Sequence, residues 1–280
     1  MNIKSWLNFA KSMLINVSTT PKYDVEVLLE FVTGQSLTWL KTFEDVYILN
    51  QSEAEKFKSV LKRRRNGEPI AYIIEKQEFW SLPLSVSPIS FIPRADTEIL
   101  VSEAILHIKK NLTISVLDLG TGTGAISLAI AVERPNCFIL GVDNNKDTLL
   151  LAQQNAKKLN IQNVSFIYSN WFSELYDHNF HVIVSNPPYI DALDKHLQHG
   201  DLRFEPKNAL ISKERGFFDL KTIISNAAKY LKPSGWLLVE HGWLQGQDVR
   251  NLMRKNQFQK ILTYFDYGKN ERVTKGQKKD

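Results

Sequence analysis

The sequence predicts an α/β protein, a largely parallel sheet covered by helices on both faces, with a small all-helical region in front of it. Three observations carry this. From residue 114 onward short apolar runs alternate with longer amphipathic stretches, as in a chain built from strand–helix–strand units. A glycine-rich turn, Asp118-Leu119-Gly120-Thr121-Gly122-Thr123-Gly124, joins the first of these runs to the first of these stretches. Before residue 79 the apolar residues keep helical spacing only.

In the first region Trp6, Phe9, Met13 and Leu14 recur at helical spacing, as do Val25, Leu28, Leu29 and Val32 before a stop at Gly34. Asn50 or Ser52 can cap a third helix over 53–66, with Phe57, Val60 and Leu61 inward and Gly67 ending it. This region, residues 1–78, is expected to serve recognition rather than chemistry. Residues 79–93 alternate apolar and small residues around Pro83 and Pro88, as a short hairpin or linker would. The domain boundary is placed there. In residues 94–280 strands are expected at 114–119, 138–142, 164–168, 181–185 and 236–240, with helices at 125–133, 147–159 and 217–231. A closing antiparallel pair is expected at 263–267 and 271–275, turning through Gly268-Lys269-Asn270.

Composition narrows the function classes. The chain has 280 residues, 43% of them hydrophobic, which is ample for a packed core. No stretch approaches the ~20 apolar residues that cross a bilayer. The N-terminus carries Lys4 and Lys11 among mixed residues, without the apolar core of a signal peptide. Cys137 is the single cysteine, so no intrachain disulfide forms, and cytoplasmic residence is the expectation. The net charge of +5 is spread along the chain. Its one dense cluster, Lys62-Arg63-Arg64-Arg65, reads as a solvated helix face.

The glycine turn comes after a buried strand and precedes a helix. Glycine allows positive φ and lets a ligand approach without meeting a Cβ. The spacing is G-x-G-x-G, a poor fit to the G-x-G-x-x-G of pyrophosphate-binding folds. The second strand ends in Asp143, whose carboxylate can accept from both hydroxyls of a ribose; the alternative is a helix cap. S-adenosylmethionine carries no phosphate, so a turn of this kind can pass beneath its methionine part. Asp118 can then meet the ammonium group, and Trp171 can lie against the adenine.

The run Phe180-His181-Val182-Ile183-Val184-Ser185 leads into Asn186-Pro187-Pro188-Tyr189. The lone pair of an amide nitrogen is delocalised, and attack on a methyl sulfonium requires it to be freed and aimed. Two acceptors on the NH2 hydrogens do this: the Asn186 side-chain oxygen and the Pro187 carbonyl. Proline has a fixed φ and no N–H, so its carbonyl can be locked in place. Tyr189 offers a flat face, which favours developing positive charge by roughly 0.5–2 kcal/mol. Neither a metal nor a strong base is required. Together the two motifs point to methyl transfer from S-adenosylmethionine to an amide or amino nitrogen.

These residues resemble the peptide chain release factor glutamine methyltransferases, the PrmC/HemK family. The resemblance is carried by residues 118–124, by Val184-Ser185-Asn186-Pro187-Pro188-Tyr189-Ile190 and by Phe79-Trp80-Ser81-Leu82-Pro83-Leu84. Ile92-Pro93-Arg94, residues 199–206, Glu240-His241-Gly242-Trp243 and residues 266–272 fit as well. It implies a class I S-adenosylmethionine-dependent methyltransferase fold, Rossmann-like, with a mostly parallel seven-stranded sheet. It also implies methylation of the side-chain amide nitrogen of the glutamine in the Gly-Gly-Gln motif of class 1 release factors. By matching position, Gly120, Thr121, Gly122, Thr123, Gly124, Asp143, Trp171 and Asn186 contact the cofactor, and Asn186, Pro187, Pro188 and Tyr189 hold the glutamine. The chain departs from the family at Asn170, commonly Asp, and at Ala95, where proline often follows Arg94.

A nucleobase amino methyltransferase uses the same tetrapeptide, but usually adds a basic target-recognition region. The first 93 residues hold 11 Lys+Arg against 10 Asp+Glu, which argues against a surface that tracks phosphates. A nicotinamide-dependent oxidoreductase would leave Asn-Pro-Pro-Tyr unexplained. A non-catalytic binding module would need one of the two motifs damaged, and both are intact.

Overall fold

The computed structural model describes residues 1–176 and 179–280. They form two compact units, Met1–Lys76 together with Gln198–Phe204, and Gln77–Leu197 together with Glu205–Asp280. Among the described residues no helix is long and apolar enough to cross a membrane.

The first unit is helical: α1 (Ile3–Leu14), α2 (Pro21–Thr33), α3 (Leu37–Thr42), α4 (Gln51–Arg65) and α5 (Ile70–Ile74). Local chemistry sets the ends. Asn2 and Ser36 cap α1 and α3 by accepting from Ser5 and Trp39 N–H groups. Pro21 opens α2, and Gly34 closes it with φ of 71°, a left-handed angle that suits glycine. Asn50 and Glu53 form a capping box on α4, each side chain accepting from the other's backbone N–H at 2.9 Å. Ile3, Trp6, Leu14, Leu28, Leu29 and Phe57 fill the core. Phe9, in the same spacing as Trp6, lies on the flank, its ring edge-on to Trp6 at 6.0 Å.

The basic cluster departs from the solvated face expected of it. Lys62 and Arg65 are exposed, but Arg64 is buried, with its Nε 2.6 Å from Asp24 Oδ2 and Nη1 3.5 Å from Asp201. Arg63 forms a forked pair with Glu68. One turn of α4 therefore alternates between solvent and a buried ion pair, a difference that a run of four basic residues does not reveal.

The second unit opens with a hairpin, β1 (Lys76–Phe79) and β2 (Leu82–Ser85), turning on Trp80 and Ser81, both at positive φ. A two-residue loop of that kind matches the twist of its strands. A 3-10 turn (Ala95–Thr97) leads into α6 (Glu98–Ile105). Next come β3 (Ser115–Leu119), α7 (Ala125–Glu133), β4 (Phe138–Asp143), α8 (Lys146–Lys158), β5 (Val164–Tyr168) and β6 (Phe180–Ser185). Two single turns lie beyond them, α9 (Lys207–Leu210) and α10 (Lys213–Gly216). The unit ends with α11 (Phe218–Tyr230), β7 (Leu231–Glu240), α12 (Gly246–Lys255), β8 (Gln259–Phe265) and β9 (Glu271–Gln277).

The large sheet has seven strands in the order β5-β4-β3-β6-β7-β9-β8. The first five are parallel, and β9 runs antiparallel to both β7 and β8. Alternate residues feed two apolar layers. Val116, Ile139, Val182 and Val184 pack with α6 and α7 on one face. Leu117, Leu140, Ile183 and Leu237 pack with α11 and α12 on the other. Between β3 and β6 the chain reverses its direction of travel across the sheet. In open α/β sheets ligands bind outside the carboxyl ends of strands at such a point.

Truncating Arg64 would leave the buried Asp24 charge uncompensated, at a cost of roughly 3–5 kcal/mol. Arg64→Ala is expected to lower the urea midpoint of the helical unit by a corresponding amount. A loss under about 1 kcal/mol would show that the pair contributes no more than a surface bridge.

Candidate active site

Both sequence motifs lie at the switch point. The glycine turn leaves the end of β3 and the tetrapeptide leaves the end of β6, and these strands pair directly with Leu119 opposite Ser185. Ser185 Oγ donates to the Leu119 carbonyl at 2.7 Å, tying the two strand ends together beneath the motifs.

The glycine turn is held from below. The N–H groups of Gly120 and Thr121 both donate to the Val142 carbonyl at 2.9 Å. Gly120, Gly122 and Gly124 have φ of 73°, 57° and 82°, so each occupies the left-handed region. A Cβ on Gly122 would meet nothing within 4 Å, whereas one on Gly124 would crowd Phe166, Leu128 and Ala152 at 3.1–3.3 Å. The turn therefore faces open space at its tip and is packed at its helix end.

Asp118 is fully buried. Its Oδ2 accepts from Thr121 Oγ1, Ser127 Oγ and Ser127 N–H, while Oδ1 has no hydrogen-bond partner. Burial pushes this carboxyl up to about 6, against those three hydrogen bonds. A buried carboxylate oxygen without a partner beside a glycine turn suits a cationic ligand group.

Asp143 ends β4, where its Oδ2 accepts from the Gly122 N–H and Oδ1 from the Asn145 N–H, both at 3.0 Å. Burial raises this carboxyl too. Asp143 is not the cap of α8; Asn145 is, accepting from the N–H groups of Asp147 and Thr148. Each Asp143 oxygen retains a second lone pair for a hydroxyl. Trp171 has φ of 53°, its carbonyl accepts from Ser169 Oγ at 2.8 Å, and its indole N–H donates to Asp219 at 3.2 Å. The ring edge would lie 3.4 Å from a Cβ on Gly120, so Trp171 walls one side of the turn. Thr121 and Thr123 are both buried. The Thr121 hydroxyl is engaged by Asp118 and its backbone by Val142 and Gly124, and the Thr123 carbonyl accepts from Asn155.

In the tetrapeptide, Asn186 donates its NH2 to Thr97 Oγ1 at 3.1 Å. Its Oδ1 and the Pro187 carbonyl take no hydrogen bond from the described residues. The Tyr189 hydroxyl donates to Glu240 Oε1 at 3.1 Å. Burial and the Glu240 carboxylate push this phenol above its ordinary range, so it stays protonated. The loop is fixed further along: Ile190 exchanges backbone bonds with Leu210 and Ser212, and Gln245 Nε2 donates to the Tyr189 and Gly216 carbonyls.

Sequence reasoning did not single out Thr97 and Glu240. Thr97 is 4% exposed and Glu240 1%, the latter at the end of a predicted strand. The signal for Glu240 is a carboxylate closing an apolar strand, Trp236-Leu237-Leu238-Val239-Glu240. Burial raises Glu240 to about 7, with Thr97, Arg272 and Tyr189 opposing.

Gly216 makes the tetrapeptide's seat possible. At φ of 85° it brings the chain so close that a Cβ would lie 2.2 Å from the Tyr189 carbonyl oxygen. Gly216→Ala is expected to displace the loop and reduce turnover at least ~10-fold, since angstrom-scale misplacement is costly in catalysis. Wild-type turnover in this variant would show that the loop tolerates the shift.

Comparison with known proteins agrees with this geometry. Residues 110–278 match the family model of a methyltransferase domain, and residues 5–74 match that of a PrmC N-terminal domain. A release factor glutamine methyltransferase of Salmonella typhimurium is 49% identical over 99% of both chains. One of Escherichia coli is 46% identical over the same share. Among solved structures, a methyltransferase from Pyrococcus furiosus shares the fold with a TM-score of 0.53 at 17% identity, covering 80% of this chain and all of that one. The chain belongs to the release factor glutamine methyltransferase family.

Proposed function

We propose that this enzyme transfers a methyl group from S-adenosylmethionine to the side-chain amide nitrogen (N5) of the glutamine in the Gly-Gly-Gln motif of bacterial class 1 release factors, in the cytoplasm. The near-full-length identity to enzymes of that name supports it. The observation that carries it is the pair of uncommitted acceptors, Asn186 Oδ1 and the Pro187 carbonyl, on the strand adjacent to the glycine turn.

The residues fit the cofactor. The free Oδ1 of Asp118 suits its ammonium group, Asp143 its ribose hydroxyls, Trp171 its adenine, and the open face of Gly120, Thr121, Gly122, Thr123 and Gly124 its methionine part. Asn170, exposed beside Trp171, can accept from the adenine amino group through its side-chain oxygen. When bound, the cofactor supplies an electrophilic methyl group on a sulfonium. The chain's own residues prepare the nucleophile. Asn186 Oδ1 and the Pro187 carbonyl each accept one hydrogen of the glutamine NH2. This draws the nitrogen out of conjugation and fixes its direction, so that alignment supplies much of the rate. Pro188 stiffens the loop, and the Tyr189 ring supports the flat amide and the positive charge that develops on it.

By this reading residues 1–78 recognise the release factor, residues 79–93 form the hairpin linker, and residues 94–280 carry out the transfer. The near-neutral charge of the first 93 residues favours a protein over a nucleic acid as the partner.

Incubation with labelled cofactor and either purified release factor or nucleic acid tests the assignment, with label expected on the Gly-Gly-Gln glutamine by peptide mass spectrometry. Label found only in nucleic acid would reject it. Asn186→Ala is expected to abolish methylation while S-adenosylhomocysteine binding weakens only modestly; turnover within tenfold of wild type would contradict the role given to Asn186. The Asp118 carboxyl, raised to about 6, must be ionised to hold an ammonium group. Cofactor affinity is therefore expected to be level near pH 7 and to fall as the pH drops through about 6. In Asp118→Asn that slope should disappear. Affinity independent of pH in wild type would remove Asp118 from the cofactor site.

A further inference from the structure

Two polar side chains between the halves of the site have no part yet in the reaction: Ser212, buried just ahead of α10, and Asp219, in the first turn of α11. Asp219 Oδ1 accepts from the indole N–H of Trp171 at 3.2 Å, and its Oδ2 accepts from the Ser212 hydroxyl at 2.6 Å. The Ser212 backbone N–H in turn donates to the Ile190 carbonyl at 3.0 Å, one residue beyond the tetrapeptide. An unbroken line of hydrogen bonds therefore runs from the wall of the glycine turn to the root of the substrate loop. We propose that Asp219 and Ser212 are positioning residues that hold the cofactor wall, Trp171, and the loop of Asn186 to Tyr189 in one frame, so that cofactor and release factor strengthen each other's binding. This rests on the function proposed above and deepens it.

Each contact in this line fixes something that a ligand would touch. The Trp171 ring stands 3.4 Å from where a Cβ on Gly120 would lie. An indole has one polar atom, its N–H, so the bond to Asp219 sets how the ring is turned. On the other side, Ile190 is held by two backbone bonds, its N–H donating to Leu210 and its carbonyl accepting from Ser212. The Ser212 backbone is thus part of the frame from which Tyr189 projects. Helix capping explains only part of this arrangement. The Asp219 N–H donates to Ser212 Oγ at 3.0 Å, as the first turn of a helix requires. Capping does not require Oδ1 to leave its own helix and meet an indole 48 residues earlier in the chain. Two ligands meet the two ends of the line, and a ligand that steadies one end leaves less for the other to order. The gain in affinity is equal in both directions.

The test uses the full chain and reads S-adenosylhomocysteine affinity with and without purified release factor, kcat at saturating cofactor, and thermal unfolding. In the wild-type enzyme, release factor is expected to tighten S-adenosylhomocysteine binding at least ~5-fold. Asp219→Leu keeps the bulk and loses both acceptors. It should cut that factor below ~2-fold and lower kcat at least ~10-fold. Asp219→Asn should keep both within ~3-fold of wild type, because its oxygen still accepts from the indole and its NH2 can donate to the Ser212 oxygen. A purely structural cap would move thermal unfolding and leave the coupling factor at its wild-type value; that result for Asp219→Leu would overturn the proposal. If Asp219→Leu does not fold, Trp171→Phe takes its place, since it keeps a flat face against the turn and loses only the N–H. Its coupling factor should also fall below ~2-fold, and a wild-type factor there would overturn the link. A wild-type enzyme that methylates release factor but binds the two ligands independently would overturn it as well. One that leaves release factor unmethylated would instead reject the function itself.

Discussion

The site depends on the parallel pairing of two neighbouring strands, β3 and β6, at the point where the sheet changes its direction of winding. Leu119 and Ser185 stand opposite each other at the strand ends, so the segments that leave them emerge side by side. A glycine turn after β3 and a proline-stiffened loop after β6 need no further device to become neighbours. The core supports this through depth rather than local bonds. Val116, Leu117, Val182 and Ile183 are fully buried, in layers packed on both faces, so neither strand can slip in register without moving apolar side chains into the wrong layer.

Electrostatics then divides the region. On the glycine-turn side, Asp118 and Asp143 are buried carboxyls, both raised by loss of solvent. A ligand bearing an ammonium group and hydroxyls satisfies them. On the tetrapeptide side, Glu240 is also buried, but the guanidinium of Arg272 faces it and the Tyr189 hydroxyl donates to it. Each of Asp118 and Glu240 keeps one buried oxygen without a hydrogen-bond partner, Oδ1 and Oε2 respectively; what sets them apart is the guanidinium of Arg272, which faces Glu240 alone.

Much of the fold was legible in the sequence because its parallel strands are buried on both faces and read as apolar runs. The strand over 164–168 and the helix over 125–133 coincide with β5 and α7, and other predicted ends shift by a residue or a few. Helix α12 escaped notice because it starts at Gly246 after Gln245, with no side-chain cap to mark it. In the site, the turn and the tetrapeptide were legible because glycine and proline state their backbone angles directly. Thr97 and Glu240 were not. A threonine inside Asp96-Thr97-Glu98 and a glutamate ending a strand are common surface patterns, and only the packing of α6 and β7 against β6 buries them. Arg64 taught the same lesson in the helical unit: four adjacent basic residues say nothing about which of them faces a buried aspartate.

The order of strands in the sheet has a bearing on how the enzyme matures. Strand β9 follows β8 in the chain, yet it is wedged between β7 and β8, with Val273 across from Glu240. Its Arg272 is the cation that faces the carboxylate beneath Tyr189. A ribosome must therefore release the chain through β9 before the sheet can close and before that anionic spot is neutralised. Activity and completion of the fold thus arrive in a single closing event, so an interrupted product would lack both.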